Sequence, residues 1–211
     1  MLDYESWIPE QVEDGAPVLL LLHGRGSDER DLLSLAPQFP EGTIVLTPRA
    51  PFPGAPWGYG PGWAWYRFIA DDRPEPQSFA TAQDALVELI DTLPELLPVR
   101  PGPVAVGGFS QGGTMSVGLA LRSPGTVFRV LNFSGFLPSH PEVAATPDTV
   151  RQTRFFWGHG THDPSIPFSL AQRGRAALTA AGAALEARDY AIGHWIAPEE
   201  LEDAVEWMKR G

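Results

Sequence analysis

Short runs of apolar and β-branched residues recur along the chain, and each run is bounded by Gly, Pro or polar residues. Runs of this length with such boundaries predict buried strands. The predicted strands cover residues 18–22, 44–47, 104–106, 127–133, 154–157 and 185–190.

Between several of these runs, apolar residues recur at every third or fourth position, which is the spacing of one helix face. The clearest example covers residues 79–93, and Pro94 is expected to end or kink that helix. A second helix is predicted for residues 114–121, and a third follows Pro167 and runs to Gly182, which can supply a left-handed cap.

The last segment of the chain predicts a helix that has favourable residues in both its first and its last turn. Pro198 and two glutamates, Glu199 and Glu200, form its first turn, while Lys209 and Arg210 lie in its last turn. Negative charge near the start of a helix and positive charge near its end both complement the helix dipole.

Strands that alternate with helices indicate an α/β fold with a mostly parallel sheet and helices on both faces. Residues 4–12 are separated from the strand at 18–22 by Asp14-Gly15, a turn signal, and are therefore expected to form a hairpin with it. That pairing predicts an antiparallel N-terminal edge strand. Because no linker or internal repeat divides the 211 residues, we expect a single domain over residues 1–211.

Charge and composition exclude several classes of protein. The net charge of −11 disfavours nucleic acid and anionic membranes as partners, because both require a basic surface. The longest apolar stretch, residues 16–22, is too short to span a bilayer, and the N-terminal MLDYESW lacks the pattern of a signal peptide. A soluble, cytoplasmic protein is therefore expected. The absence of cysteine excludes disulfides, thiolate catalysis and thiolate metal sites.

Residues 48–68 form a compositional anomaly, with five prolines, four glycines and seven aromatic residues. This composition predicts a long, ordered loop rather than regular structure. Two interpretations remain open. The loop forms an apolar substrate wall, for which Trp57, Trp63, Trp65 and Tyr66 are the candidates, or it packs on the core as a surface loop.

The segment GGFSQGG places Ser110 among four glycines, after the strand at 104–106 and before the helix at 114–121. Residues 108–112 fit the pentapeptide of a nucleophile elbow, in which a strained strand-to-helix turn exposes a serine hydroxyl. Small neighbours are required because a strained bend leaves no room for side chains. Ser110 is therefore the predicted nucleophile.

A serine nucleophile needs a base, and in this architecture the chain order is serine, acid, histidine. That order eliminates His23. His140 is interpreted as an exposed loop residue. His194 follows the last predicted strand, at the sheet edge where active-site loops gather, and it is the predicted base.

The acid that orients His194 is predicted to be Asp163, which follows the strand at 154–157 in the segment GHGTHDP. Asp148 and Asp189 are weaker candidates, because Asp148 precedes a strand and Asp189 lies within one. His159 and His162 share the loop with Asp163 and are alternative hydrogen-bond partners that shape the turn.

Two backbone N–H groups are candidates for stabilising the oxyanion. One belongs to Gln111, directly after the serine, and the other to Arg25, in the loop that follows the strand at 18–22. The Arg25 side chain has two interpretations: it contacts a substrate carboxylate or phosphate, or it pairs with Asp28 or Glu29 nearby.

Together, GGFSQGG, LLHGRG, GHGTHDPSIP and GHWIAPEEL resemble the phospholipase/carboxylesterase family of small α/β-hydrolases, nearly from end to end. The resemblance implies Ser110, Asp163 and His194 as the catalytic triad and Arg25 and Gln111 as oxyanion donors. That family often has leucine where this chain has Arg25. The proline-rich loop makes the chain more similar to bacterial carboxylesterases than to acyl-protein thioesterases.

The resemblance and the residues together predict hydrolysis of small carboxylic esters through an acyl-enzyme, without a cofactor or metal. A thioester or lysophospholipid substrate is the alternative within the enzymes. A non-catalytic protein that binds small molecules on the same scaffold is the alternative outside them. These motifs are compatible with a monomer and with a homodimer.

Overall fold

The structure, a computed structural model, describes residues 1–70 and 72–210. Among these residues, seven strands form the main sheet: Tyr4–Trp7 (β1), Ala16–Leu22 (β2), Ile44–Pro48 (β3), Pro101–Phe109 (β8), Arg129–Phe133 (β9), Arg154–Gly160 (β10) and Ala184–Tyr190 (β11). Their order in the sheet is β1-β3-β2-β8-β9-β10-β11. All neighbours pair in parallel except β1 and β3, which confirms the mostly parallel sheet with an antiparallel N-terminal edge.

The predicted hairpin between the N-terminal segment and β2 is wrong. Strand β1 pairs with β3, with Tyr4 opposite Pro48 and Trp7 opposite Val45. Both edges of β2 are already occupied by parallel neighbours, β3 and β8, so the N-terminal strand reaches the sheet only at the outer edge of β3. Asp14 instead ties the start of β2 to the start of β8, because its Oδ1 accepts a hydrogen bond from the Arg100 N–H at 2.9 Å.

Within the described residues, four of the α-helices correspond to predicted helices, and the short helix at Pro147–Val150 was not predicted. Their bounds are Pro76–Leu96 (α1), Gln111–Arg122 (α2), Pro147–Val150 (α3), Phe168–Ala180 (α4) and Pro198–Lys209 (α5). Helix α1 includes Pro94 in its last turn and ends two residues later. Gly182 has a φ of 81°, which confirms the left-handed backbone expected after α4.

The remaining elements are short. Two 3₁₀ helices cover Leu33–Gln38 and Ala55–Trp57. Strands Phe52–Pro53 (β4) and Trp63–Ala64 (β5) pair with each other, and so do Phe68–Ala70 (β6) and Arg73–Pro74 (β7). Residues 48–68, the aromatic loop, therefore contain a short antiparallel ribbon where no regular structure was expected, and a second ribbon begins at Phe68.

The sheet divides the core into two layers, and β2 shows how. Val18, Leu20 and Leu22 face a large cluster that includes the apolar faces of α1, α2 and α4. Leu19 and Leu21 point the other way, into a cluster with α5 and the first 3₁₀ helix. This alternation is the two-residue period of a strand buried on both faces.

Because β2, β8, β10 and β11 are parallel, the loops that follow them meet at one edge of the sheet. These loops carry Arg25, Ser110, Asp163 and His194. Within the described residues, no helix combines the length and apolar composition needed to cross a membrane.

Candidate active site

Ser110 lies at a sharp turn between β8 and α2, with φ of 56° and ψ of −113°. Such a positive φ is uncommon for a residue with a side chain, and its strain costs on the order of 1–3 kcal/mol. The Ser110 N–H donates to the Phe133 carbonyl at 2.8 Å, so the end of β9 holds the turn in place. This is the local backbone that the serine among glycines predicts.

The neighbouring glycines are required by close backbone packing. A Cβ on Gly112 would overlap the Leu22 carbonyl, and a Cβ on Gly108 would overlap both the Leu22 carbonyl and the Gly112 backbone. The first turn of α2 therefore lies directly against the end of β2. This contact brings the serine turn and the loop that carries Arg25 together.

The structure brings the three predicted residues together in one hydrogen-bonded chain. The His194 Nε2 lies 2.9 Å from the Ser110 Oγ, and the His194 Nδ1 lies 2.7 Å from the Asp163 Oδ2. A neutral imidazole with its proton on Nδ1 satisfies both contacts, because it donates to the carboxylate and accepts from the hydroxyl. The Phe109 ring packs on the His194 ring, with centroids 4.7 Å apart.

Asp163 is held by its own loop. Its Oδ1 accepts hydrogen bonds from the Ser165 and Ile166 N–H groups, both at 2.8 Å. This leaves Oδ2 directed at His194. The side chain is fully buried, so the carboxylate depends on these donors for its stability.

His159 contacts the same loop through its side chain. It is fully buried, and its Nε2–H donates to the Ile166 carbonyl at 2.9 Å while lying 3.6 Å from the Asp163 Oδ2. Burial lowers the pKa of His159, so the ring is neutral near pH 7. His159 is thus the local partner that shapes the turn, whereas His162 is exposed.

The other candidate residues lie elsewhere. Asp148 is 90% exposed, and Asp189 is paired with Arg175. His140 is buried, which corrects the expectation of an exposed loop residue. Its ring packs on Phe79 with centroids 4.9 Å apart, so it belongs to the packing between the 134–146 loop and α1.

The two predicted oxyanion donors belong to adjacent backbone segments. Gln111 is the first residue of α2, so its N–H has no acceptor within the helix. Within residues 1–70 and 72–210, the Arg25 N–H also has no hydrogen-bond acceptor. Both groups border the serine turn, because Gly112 packs on the Leu22–His23 backbone.

The aromatic loop fastens these two segments together. The Gln111 side chain accepts from the Trp65 N–H at 3.0 Å and donates to the Tyr66 carbonyl at 2.8 Å. The Trp65 Nε1–H donates to the His23 carbonyl at 2.9 Å, and the His23 Nε2 accepts from the Ala50 N–H at 3.0 Å. Burial lowers the pKa of His23, which keeps it a neutral acceptor.

The four aromatic residues predicted as a pocket wall do not line the cavity beside Ser110. Trp65 and Tyr66 are fully buried in the core, because the loop folds inward at this point. Trp63 stacks on the Arg49 guanidinium at 4.3 Å, and Trp57 packs on Phe52 with ring centroids 5.1 Å apart. The alternative interpretation, a loop that packs on the core, describes these four residues.

The cavity beside Ser110 has a volume of about 730 Å³, within the range of small-molecule sites. Its apolar wall includes Phe68 and Ile69 from the aromatic loop and the following ribbon, and Ile166 and Leu170 from the region where α4 begins. None of these four residues was among the candidates predicted from the sequence. The apolar residues next to Asp163 in GHGTHDPSIP were the available signal.

A second, smaller cavity of about 250 Å³ also borders His194. Its wall includes Leu32, Leu35 and Trp195, and it shares Phe109 and His194 with the larger cavity. Two spaces therefore meet at the imidazole.

Glu200, one of the two glutamates predicted for the first turn of the last helix, lies in the first turn of α5 and is fully buried. Its Oε2 accepts from the Ala197 N–H at 3.4 Å, and its Oε1 lies against Gly158, where a Cβ would overlap it. Burial raises the pKa of Glu200 to about 8. The carboxyl is therefore mostly protonated at neutral pH.

The model of the phospholipase/carboxylesterase family matches residues 5–210. A protein of Oryza sativa subsp. japonica named as a probable carboxylesterase is 30% identical over 209 residues, which cover 90% of this chain and 86% of that protein. Acyl-protein thioesterase 1 of Cryptococcus neoformans var. neoformans serotype D is 26% identical over 219 residues and is similar over 90% of both chains. The crystal structure of the Bacillus cereus carboxylesterase superimposes with a TM-score of 0.84 at 21% identity, over 100% of this chain and 94% of that one. This chain is therefore a member of the phospholipase/carboxylesterase family and has the α/β-hydrolase fold.

Proposed function

We propose that this protein hydrolyses carboxylic esters through an acyl-enzyme, with Ser110 as the nucleophile, His194 as the proton carrier and Asp163 as the orienting acid. The observation that carries this proposal is the continuous chain of contacts from the Ser110 Oγ through His194 to Asp163, at 2.9 and 2.7 Å. Those distances are the ones that proton transfer between a nucleophile and its base requires.

In the proposed reaction, the Ser110 Oγ attacks the ester carbonyl while its proton passes to the His194 Nε2. The resulting oxyanion accepts hydrogen bonds from the Arg25 and Gln111 N–H groups, each worth about 2.7–4 kcal/mol in comparable sites. His194 then donates the proton to the departing alcohol. Water attacks the acyl-enzyme with His194 as the base, which releases the acid and restores Ser110.

The two cavities that meet at His194 support a substrate with two parts. Cavities of about 730 and 250 Å³ that share His194 and Phe109 as lining residues can hold the acyl and alcohol portions of a small ester. A small ester is accordingly the proposed partner.

The net charge of −11 continues to disfavour nucleic acid as a partner. A cytoplasmic location stays a prediction, and light scattering decides between monomer and homodimer.

The test is covalent labelling with a fluorophosphonate, together with turnover of para-nitrophenyl esters. Wild-type protein should be labelled at Ser110 and should hydrolyse the esters, whereas the Ser110→Ala variant should do neither. Equal hydrolysis by the variant and the wild type would refute the proposed nucleophile. Ligand binding without labelling or turnover would favour the non-catalytic binding protein.

Thioester hydrolysis is a second candidate, because a relative that matches 90% of this chain is named as an acyl-protein thioesterase. The same three residues would act on it, since only the leaving group changes. A comparison of kcat/KM for matched esters and thioesters decides between them. We expect the ester to be preferred.

A further inference from the structure

The Arg25 guanidinium packs against two aromatic rings at the active-site cavity. Its guanidinium carbon lies 4.7 Å from the centroid of the Tyr59 ring and 5.5 Å from that of Phe68. The Tyr59 hydroxyl accepts from the Phe68 N–H at 2.8 Å, so the two aromatic residues are tied to each other. A stacked guanidinium has a fixed plane and retains its edge N–H donors.

Arg25 makes no ion pair with Asp28 or Glu29, the two carboxylates that the sequence offered as its partners. Asp28 accepts from the Arg30 N–H at 2.9 Å, and Glu29 lies 3.8 Å from the Arg49 guanidinium. Among residues 1–70 and 72–210, no carboxylate lies within 4.0 Å of the Arg25 guanidinium. The interpretation that pairs Arg25 with Asp28 or Glu29 is therefore wrong.

The charge on the cavity wall has the opposite sign to that of the whole chain. Arg25 and Arg173 both line the cavity, and the described part of its wall includes no Asp or Glu. The chain as a whole carries a net charge of −11. Arg173 is paired with Asp72 at 2.9 Å, which leaves Arg25 as the cation on the described wall without an acidic partner.

We propose that Arg25 is a specificity-determining residue, and that the preferred substrate is an ester that carries a carboxylate in the portion occupying this cavity. The inference rests on the proposed ester hydrolysis. A single planar guanidinium matches the two oxygens of one carboxylate. A phosphate, which carries nearly two charges, would favour a second unpaired cation, and Arg173 is already neutralised by Asp72.

The inference is tested with pairs of esters of nearly equal shape, one carrying a carboxylate and the other a neutral primary amide in its place. For the acyl side, the pair is mono-para-nitrophenyl glutarate and its amide analogue. For the alcohol side, it is meta-acetoxybenzoate and meta-acetoxybenzamide. A third probe, acetoxyethyl phosphate, tests the phosphate alternative. The measured quantity is the ratio of kcat/KM for the charged ester to that for its neutral partner.

In wild-type protein, this ratio should exceed one for at least one carboxylate pair, and it should fall as salt is added. In Arg25→Gln, the ratio should fall by about tenfold, the loss expected for a charged hydrogen bond. Arg25→Lys should give an intermediate ratio. The matched control is Arg100→Gln, which removes the same charge at the opposite end of β8, where Arg100 pairs with Asp14, and should leave the ratio unchanged.

Wild-type ratios of one or less for both carboxylate pairs, or equal ratios in wild type and Arg25→Gln, would overturn the inference. The proposed function would survive that result if Ser110→Ala still abolished hydrolysis of the neutral esters. A kcat/KM for acetoxyethyl phosphate above that of both carboxylate esters would overturn the assignment of the anion as a carboxylate. If no ester were hydrolysed in a Ser110-dependent manner, the proposed function and this inference would both fail.

Discussion

The indole Nε1–H of Trp65 donates a hydrogen bond to the backbone carbonyl of His23, 2.9 Å away. His23 immediately precedes the Gly24-Arg25 segment that borders Ser110. Trp65 thus connects the aromatic loop to the backbone that carries a proposed oxyanion donor. The connection is buried, so water cannot replace it if the indole is removed.

Substituting Trp65 with phenylalanine should lower both stability and kcat. The change leaves the His23 carbonyl without its buried donor, which costs about 1–3 kcal/mol in addition to the lost packing. Because the Arg25 segment is then held less firmly, kcat should fall by more than KM changes. Urea unfolding and ester kinetics measure the two effects.

Trp157→Phe is the matched control for that experiment. Trp157 is equally buried, but its Nε1 has no hydrogen-bond partner in the described part of the chain. Trp157→Phe replaces an indole with a phenyl ring, as Trp65→Phe does, but it breaks no hydrogen bond of the indole. Equal effects of the two substitutions on kcat would show that the Trp65–His23 bond does not support the site.

Asp163→Asn should lower kcat by about 10⁴-fold while the protein remains folded. The amide can donate to the His194 Nδ1, which stabilises the tautomer with its proton on Nε2, and that tautomer cannot accept the Ser110 proton. The expected size is the loss measured for this substitution in a serine protease. The control is Asp189→Asn, at a residue paired with Arg175. A comparable loss in the control would reassign the orienting acid.

Gly112→Ala should destabilise the protein by about 3 kcal/mol or more, because the new Cβ would overlap the Leu22 carbonyl in a packed backbone contact. Gly42→Ala provides the comparison. Gly42 has a φ of 79° and open space around it, so alanine should cost only about 1 kcal/mol there. Free energies of unfolding in urea should separate the two variants, and similar values would contradict the close packing of α2 on β2.

Glu200 should make stability fall as the pH rises. Its pKa is about 8 in the folded protein and ordinary in the unfolded chain, so between roughly pH 4.5 and 8 the folded state binds a proton that the unfolded state lacks. The free energy of unfolding should therefore decrease by about 1 kcal/mol per pH unit in that window and level off above it.

Glu200→Gln keeps the oxygen that accepts from Ala197 and removes the titration, so its stability curve should be flatter from pH 5 to 8. At pH 8 and above, the variant should be at least as stable as the wild type. Glu199→Gln, at the exposed neighbouring residue, should leave the pH dependence unchanged. Parallel curves for wild type and Glu200→Gln would show that the buried carboxyl does not titrate as proposed.

The sequence predicted those parts of the fold and site that depend on local signals. Alternating strand and helix patterns predicted the parallel sheet with helices on both faces. The glycines around Ser110 predicted its strained turn, because the steric requirement involves residues close in the chain as well as Leu22. Asp163 and His194 were predicted because loops that follow parallel strands end at the same edge of a sheet.

Only the tertiary structure determined which groups are buried and what they contact. Strand β1 pairs with β3 because the edges of β2 are already occupied, and Glu200 is buried because Gly158 provides space against it. Trp65 faces the core rather than the cavity, while Arg25 packs against Tyr59 and Phe68, which are more than thirty residues away in the sequence. Periodicity shows which face of an element is apolar, but the partner of each side chain depends on how distant segments pack against one another.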